Sequence, residues 1–278
     1  MSRVLVCMAL LVLGCGQKNP GQVSGDRVVA PTSPEEAPAT EDDSPTVGTE
    51  VNKADHAMVL VPEGLFVMGW EAGDPDERPP HQVFLSAYYI DQFEVTIGLY
   101  RRCVEADACE EPAYAPNCNW DKDIDDTHPI NCVNRQSAFD YCAWAGLRLP
   151  TEAEWEKAAR GIDGRIYPWG YELAGDEANF RFIAGATEPV GSRPQGVSPY
   201  GAHDMAGNVW EWVSDWYGDT YYAESPRDNP QGPLRGEFGV LRGGSWWFEK
   251  ESLPAANREA YHPLLTDIDI GIRCARDF

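Results

Sequence analysis

The chain has 278 residues, 43% of them hydrophobic, which is enough for a folded core and argues against a wholly disordered protein. Lys and Arg number 22 against 45 Asp and Glu, a formal net charge of −23. That balance argues against a nucleic-acid binder and against retention by anionic lipid, since both need a basic surface. Gly 26 and Pro 22 predict many loops, and ten Trp supply rings that pack a core or line a pocket.

Residues 1–15 read MSRVLVCMALLVLGC. Arg3 gives a positive start, and the apolar run 4–13 is too short to cross a bilayer as a helix. Val12-Leu13-Gly14-Cys15 resembles a bacterial lipobox, with a small residue before the cysteine. The resemblance implies removal of residues 1–14 and lipidation of Cys15; an ordinary signal peptide is the alternative. Gly16, not Asp, follows Cys15, which by resemblance to Gram-negative sorting rules points to the outer membrane. The expectation is a protein lipid-anchored in the bacterial envelope, held to the membrane through Cys15. Residues 15–55 are rich in Pro, Ser, Thr and acid, with no aromatic residue. Such a stretch cannot bury enough apolar surface to offset its ordering entropy and reads as a flexible tether. The folded domain is expected over residues 56–278.

Within that domain, residues 57–69 mix β-branched and apolar residues around a Pro-Glu-Gly turn signal and read as a hairpin or strand pair. Residues 82–91, QVFLSAYYID, read as one further strand. Thr96 is placed to cap a helix carrying Leu99, Tyr100 and Cys103. Asn134 is placed to cap a second, with Ala138, Tyr141, Cys142 and Trp144 on its buried side. In the third, Thr151 and Glu154 make a capping box, Gly161 closes the helix, and Trp155, Ala158 and Ala159 form the apolar stripe. Short strands are expected at 239–242 and 271–274. Few helices beside short strands and long loops predict an α+β fold.

Cys7 leaves with the signal, and Cys15 is assigned to lipid. Six cysteines remain: Cys103, Cys109, Cys118, Cys132, Cys142 and Cys274. An even number in an exported chain predicts disulfides, and six cysteines permit about 15 pairings, all left open. No CxxC occurs, so neither a zinc ribbon nor a thioredoxin-like site is indicated.

Seven segments then stand in one order from residue 58 to residue 275: MVLVPEGLFVMG, YYIDQFEVT, RLPTEAEWEKAARG, YPWG, GNVWEW, VLRGGSWW and DIGIRCA. Together they resemble the formylglycine-generating enzyme, or sulfatase-modifying factor, family. The resemblance implies a loop-rich variant of the C-type lectin fold. It implies a Cys142–Cys274 disulfide, and nearness in sequence then suggests Cys103–Cys109 and Cys118–Cys132.

The family's oxidase chemistry uses two cysteines that bind Cu(I) just after the Gly-Gly-Ser strand, soft thiolates suiting that ion. Phe248 and Leu253 stand at those places here, and no cysteine lies between Cys142 and Cys274. Thiolate-bound copper is therefore not expected. By the same resemblance, Ser245 and Trp210 map to the family pocket; the plainer reading of Ser245 is a strand-end turn packed by tryptophans. His203 beside Asp204 offers a base, or a surface histidine. The resemblance also implies structural calcium held by Asp204, the carbonyls of Gly207 and Val209, and Glu211. The alternative is that the two acids cap turns or pair with Arg. A second family calcium site would begin at Asn179 and Phe180, but its later acidic loop is missing.

Two functions follow as expectations. One is a binding or scaffold domain on an envelope lipoprotein, with a protein or peptide partner. The other is an enzyme of the same fold that modifies a peptide or small molecule without the copper pair. A pocket filled by Trp246, Trp247 and Phe248 would favour the first, and an open polar pocket beside Ser245 the second.

Overall fold

The structure is a computed structural model that describes residues 49–51, 55–120 and 123–278. The expected signal segment, Cys15 and most of the tether lie outside the described residues. Strand β1 (Thr49–Val51) falls within the stretch expected as tether and pairs antiparallel with β2 (Ala57–Val61).

β2 and β3 (Gly64–Met68) flank the Pro-Glu-Gly turn, as expected, but they do not form a hairpin. β2 is flanked on both edges, by β1 and by β5 (Tyr88–Asp91), so β3 turns away and pairs with β4 (His81–Leu85). The single strand expected over 82–91 is thus two strands in two sheets. The break is visible in burial parity: Val83 and Leu85 are buried in β4, Tyr88 and Ile90 in β5. Alternation that jumps from odd to even positions requires the chain to turn over.

Helix α1 (Ile97–Glu105) starts at Thr96, whose Oγ1 accepts from the Leu99 amide at 3.3 Å. Helix α2 (Arg135–Trp144) starts at Asn134, whose Oδ1 accepts from the Ser137 amide at 2.9 Å. Helix α3 (Glu152–Arg160) has the expected capping box: the Glu154 amide donates to Thr151 Oγ1 at 3.1 Å, and the Thr151 amide donates to Glu154 Oε2 at 2.8 Å. Gly161, at φ 67°, closes it. The expected apolar stripe is only part of this helix, which is buried on every side. Its charged residues are matched from distant segments. Glu156 accepts from Arg242 Nη2 at 2.6 Å, Glu152 from Arg258 Nε at 2.6 Å, and Lys157 donates to the Pro62 carbonyl at 2.6 Å.

The last sheet runs β8 (Arg258–Tyr261), β7 (Gly239–Arg242), β6 (Trp210–Trp216), β9 (Ile270–Ile272), with β6 and β9 parallel. The strand expected at 271–274 is divided. β9 ends at Ile272, Arg273 and Cys274 cross between sheets, and β10 (Ala275–Asp277) pairs with β5. Cys274 is joined at this crossing to Cys142 of α2, with a Cα–Cα distance of 5.7 Å. The other two bridges are Cys103–Cys109 and Cys118–Cys132. One large apolar cluster packs α1 and α2 against β6 and β9; a second packs α3 against β2 to β5.

Candidate functional site

β7 ends in Gly243 and Gly244, at φ 99° and 75°, conformations that L side chains rarely adopt. A Cβ on Gly244 would lie 2.7 Å from the Ser252 carbonyl oxygen, so this turn needs glycine for space as well. It is stitched to the 207–208 loop: the Gly207 amide donates to the Gly243 carbonyl at 2.8 Å, and the Trp246 amide to the Asn208 carbonyl at 2.9 Å. The same loop leads into β6, where the Trp210 amide donates to the Asp269 carbonyl at 2.7 Å. Ser245, Trp210 and Asp269 are therefore brought together by backbone bonds.

Ser245 is fully buried and donates its hydroxyl to Asp269 Oδ2 at 2.5 Å. Burial pushes the Asp269 carboxyl up to about 6, against the Ser245 hydrogen bond, which lowers it. Ser245 Oγ also accepts from the Trp247 amide at 3.2 Å. No solvent reaches this hydroxyl, so the pair holds the turn. Sequence reasoning missed Asp269. Its signal was an acid directly before an apolar strand, inside the DIGIRCA segment.

Trp210, 2% exposed, meets Phe248 edge-on at 5.7 Å. Trp246 is buried beneath Trp247 and Phe182, with ring centroids 5.2 and 5.5 Å away. Residues 181 and 182 pair with this segment, the Arg181 amide donating to the Phe248 carbonyl and the Phe182 amide to the Trp246 carbonyl, each at 2.8 Å. Phe182, Trp247 and Phe248 are 47, 46 and 42% exposed, while Leu253 is buried. The two positions at which the copper cysteines were expected thus carry a half-exposed ring and a core side chain. All six cysteines among the described residues are in disulfides.

His203 is not a partner of Ser245. Its ring lies 5.0 Å from that of Phe93, its Nδ1 is buried without a hydrogen bond, and burial lowers its basicity.

The acids of the 204–211 loop meet around Arg273. Glu211 Oε1 accepts from Arg273 Nη2 at 2.7 Å, and Oε2 accepts from Arg273 Nε at 2.9 Å and from the Trp155 indole at 2.6 Å. Asp204 accepts from the Gly191 amide at 2.6 Å, and burial pushes its carboxyl up to about 6. Glu94, unnoticed in the sequence, is buried beside them. It accepts from Asn208 Nδ2 at 2.6 Å and from the Val209 amide at 3.1 Å, and burial, then Asp204, hold its carboxyl well above its ordinary value. Among the described residues, no group of three or more His, Cys, Asp or Glu side chains is arranged to hold a metal ion. A cation here would rest on Asp204 and main-chain carbonyls, with Glu211 shared with Arg273.

The model of the sulfatase-modifying factor enzyme 1-like domain matches residues 44–278. The chain belongs to this family. The formylglycine-generating enzyme of Streptomyces coelicolor is 34% identical over 287 aligned positions, covering 81% of this chain and 90% of the enzyme. The serine/threonine-protein kinase pkn1 of Chlamydia caviae is 38% identical over 236 residues, which are 79% of this chain but 38% of the kinase. The solved structure of PvdO from Pseudomonas aeruginosa superposes with a TM-score of 0.71 at 28% identity, covering 81% of this chain and 96% of PvdO. The sulfatase-modifying factor domain accounts for the mixed, loop-rich α/β architecture of the C-type lectin type.

Proposed function

We propose that this sulfatase-modifying factor domain is a binding module on an envelope lipoprotein, anchored through Cys15, and not a thiolate-copper cysteine oxidase. One observation carries the reading: where the copper pair would stand, Phe248 joins Phe182 and Trp247 in an exposed aromatic face over a closed Ser245–Asp269 pair. Half-exposed rings on a rigid base suit a protein or peptide partner, because they bury area at little entropic cost. Calcium at Asp204, Gly207, Val209 and Glu211 belongs to the same reading, as a stabiliser of the loop beneath that face.

The test uses the full lipoprotein and a Trp247→Ala, Phe248→Ala double variant, each immobilised and exposed to solubilised envelope from its own source. A partner retained by the first and lost by the second supports the reading. Oxygen-dependent consumption of a peptide or small molecule by the first alone would replace it with the enzyme.

A further inference from the structure

Away from Ser245, a cleft of about 540 Å³ opens between residues 70–77, 167–173 and 250–254. Trp70, Tyr167 and Tyr171 line it. Tyr167 is braced by flat stacking on Trp169 at 5.2 Å, and Tyr171 is 55% exposed with its hydroxyl donated to the Asp163 carbonyl. Three acids, Asp74, Glu172 and Glu251, share the rim with one ammonium, Lys250. Burial first, then the charges of Glu251 and Glu172, raise the Tyr167 phenol, so the field is negative where the rings stand.

Glu77, 2% exposed, is also among the lining residues. Its Oε1 accepts from Asn257 Nδ2 at 3.2 Å, but its Oε2 is buried with no hydrogen-bond partner. The surrounding loop holds the residue in place: the Trp70 amide donates to the Glu77 carbonyl at 3.0 Å, and the Glu77 amide to the Asp74 carbonyl at 3.1 Å. Gly73 leaves the carboxylate its room, since a Cβ there would lie 1.8 Å from Oε2. Burial keeps the carboxyl above its ordinary value. A carboxylate oxygen enclosed without a donor is costly, and an arriving cation removes that cost.

The lining decides which cation. A hard divalent ion needs a shell of oxygens and gains little from indole and phenol rings. An ammonium on an alkyl stem uses both features, the rings through cation–π and apolar contact and the carboxylate through a charged hydrogen bond. We propose that this cleft binds an alkylammonium, the lysine side chain of a peptide or protein partner. The Glu77 side chain turns its carboxylate to the ammonium as it arrives, and Trp70, Tyr167 and Tyr171 flank the stem. Lys250, the ammonium on the rim, opposes a second cation by its charge. The net charge of −23 draws a basic partner toward the domain. The cleft needs neither Ser245 nor Asp269, so it stands whether the domain binds or catalyses.

The probes are the tripeptides Gly-Lys-Gly and Gly-norleucine-Gly, titrated into the intact protein and followed by tryptophan fluorescence and NMR shifts. The lysine peptide should bind at least about tenfold tighter than the neutral one. Glu77→Gln should weaken it by about tenfold, and Tyr171→Ala, at an exposed position, by about three- to tenfold. Lys250→Met should tighten binding, because it removes a like charge from the rim. If Glu77→Gln fails to fold, the Tyr171 and Lys250 variants decide. Equal binding of both peptides, or affinity indifferent to the Tyr171 and Lys250 changes, overturns the proposal. Displacement of the lysine peptide by an equimolar amount of Ca²⁺ makes the cleft a metal site and overturns it equally.

Discussion

Arg273 holds Glu211 with two nitrogens, Nη2 at 2.7 Å from Oε1 and Nε at 2.9 Å from Oε2, at the point where the chain crosses from β9 to β10. Both side chains are buried, and Arg273 also feels Glu94 and Asp204. Removing the guanidinium leaves more than one carboxylate uncompensated. Removing one partner of such a pair costs about 3–5 kcal/mol. Arg273→Met should lose at least that much stability in urea unfolding, and Glu211→Gln less, because only Arg273 is then left short. Equal losses for the two, or a loss under about 1 kcal/mol, would show that the pair is worth no more than a surface bridge.

The Cys142–Cys274 bridge closes a span of 132 residues between α2 and the crossing at β9. In the chain-entropy account, a loop of that size contributes about 4–5 kcal/mol by restricting the unfolded state. A Cys142→Ala, Cys274→Ala protein should lose about this much. A Cys103→Ala, Cys109→Ala protein should lose less, because its loop spans only 6 residues. Chemical denaturation of the two variants under non-reducing conditions ranks them, and the reverse order would count against the entropic account.

The helices were legible because capping is local. Thr96, Asn134, the Thr151–Glu154 box and Gly161 each act within one turn, and each signal stood in a few adjacent residues. Strand partners were not, because β2 could pair with β3 only if β1 and β5 left it an edge. The turnover at residues 86–87 was hidden as well, because Phe84 and Tyr89 are as apolar as the buried Val83, Leu85, Tyr88 and Ile90, and only burial shows the odd-to-even switch. Around the site, Ser245 and Trp210 were marked by the family segments. Asp269, Glu94 and the partnership of Glu211 with Arg273 depend on residues 24 to 115 positions apart, and nothing local announces that a charge will be buried. The same holds for α3, whose Glu156 and Glu152 are buried only because Arg242 and Arg258 come to meet them.

Asp269 should leave a signature in the pH dependence of stability. Its carboxyl is raised to about 6 from an ordinary 3.8, chiefly by burial. The folded state therefore keeps a proton that the unfolded chain releases between those values. The associated stability is fully present below 3.8 and is lost as pH rises through about 6. Asp269→Asn removes this dependence. Relative to the parent protein it should gain up to about 3 kcal/mol on going from pH 4 to pH 7. Urea midpoints measured at both pH values test this, and parallel curves for the two proteins would show that Asp269 is not raised.

Calcium should stabilise the domain through Asp204, whose carboxyl is enclosed and accepts a hydrogen bond from the Gly191 amide alone among the described residues. An ion that binds only the folded state adds about 2.7 kcal/mol at a hundredfold excess over its Kd. Melting should rise with Ca²⁺, fall with chelator, and become indifferent to both in Asp204→Ala. If the parent protein melts at one temperature throughout and carries no calcium by elemental analysis, Arg273 is the only cation this loop uses.

The purified protein should not convert a sulfatase-type cysteine peptide to the aldehyde, with or without added copper. The family reaction requires Cu(I) held by two soft thiolates. Phe248 offers no ligand atom, Leu253 is buried in the core, and the hydroxyl of Ser245 is engaged with Asp269. The six cysteines of the described chain are in disulfides, where sulfur is no longer a thiolate. A Phe248→Cys, Leu253→Cys protein should therefore gain Cu(I) binding. It should gain turnover only if the aromatic face left by Phe182 and Trp247 still admits the peptide. Elemental analysis of the protein reads the copper, and mass spectrometry of a CxPxR peptide after incubation with protein, Cu(I) and O₂ reads the turnover. Loss of the thiol and gain of an aldehyde by the unaltered protein, above the protein-free rate, would place the chemistry at another site and overturn the binding-module reading.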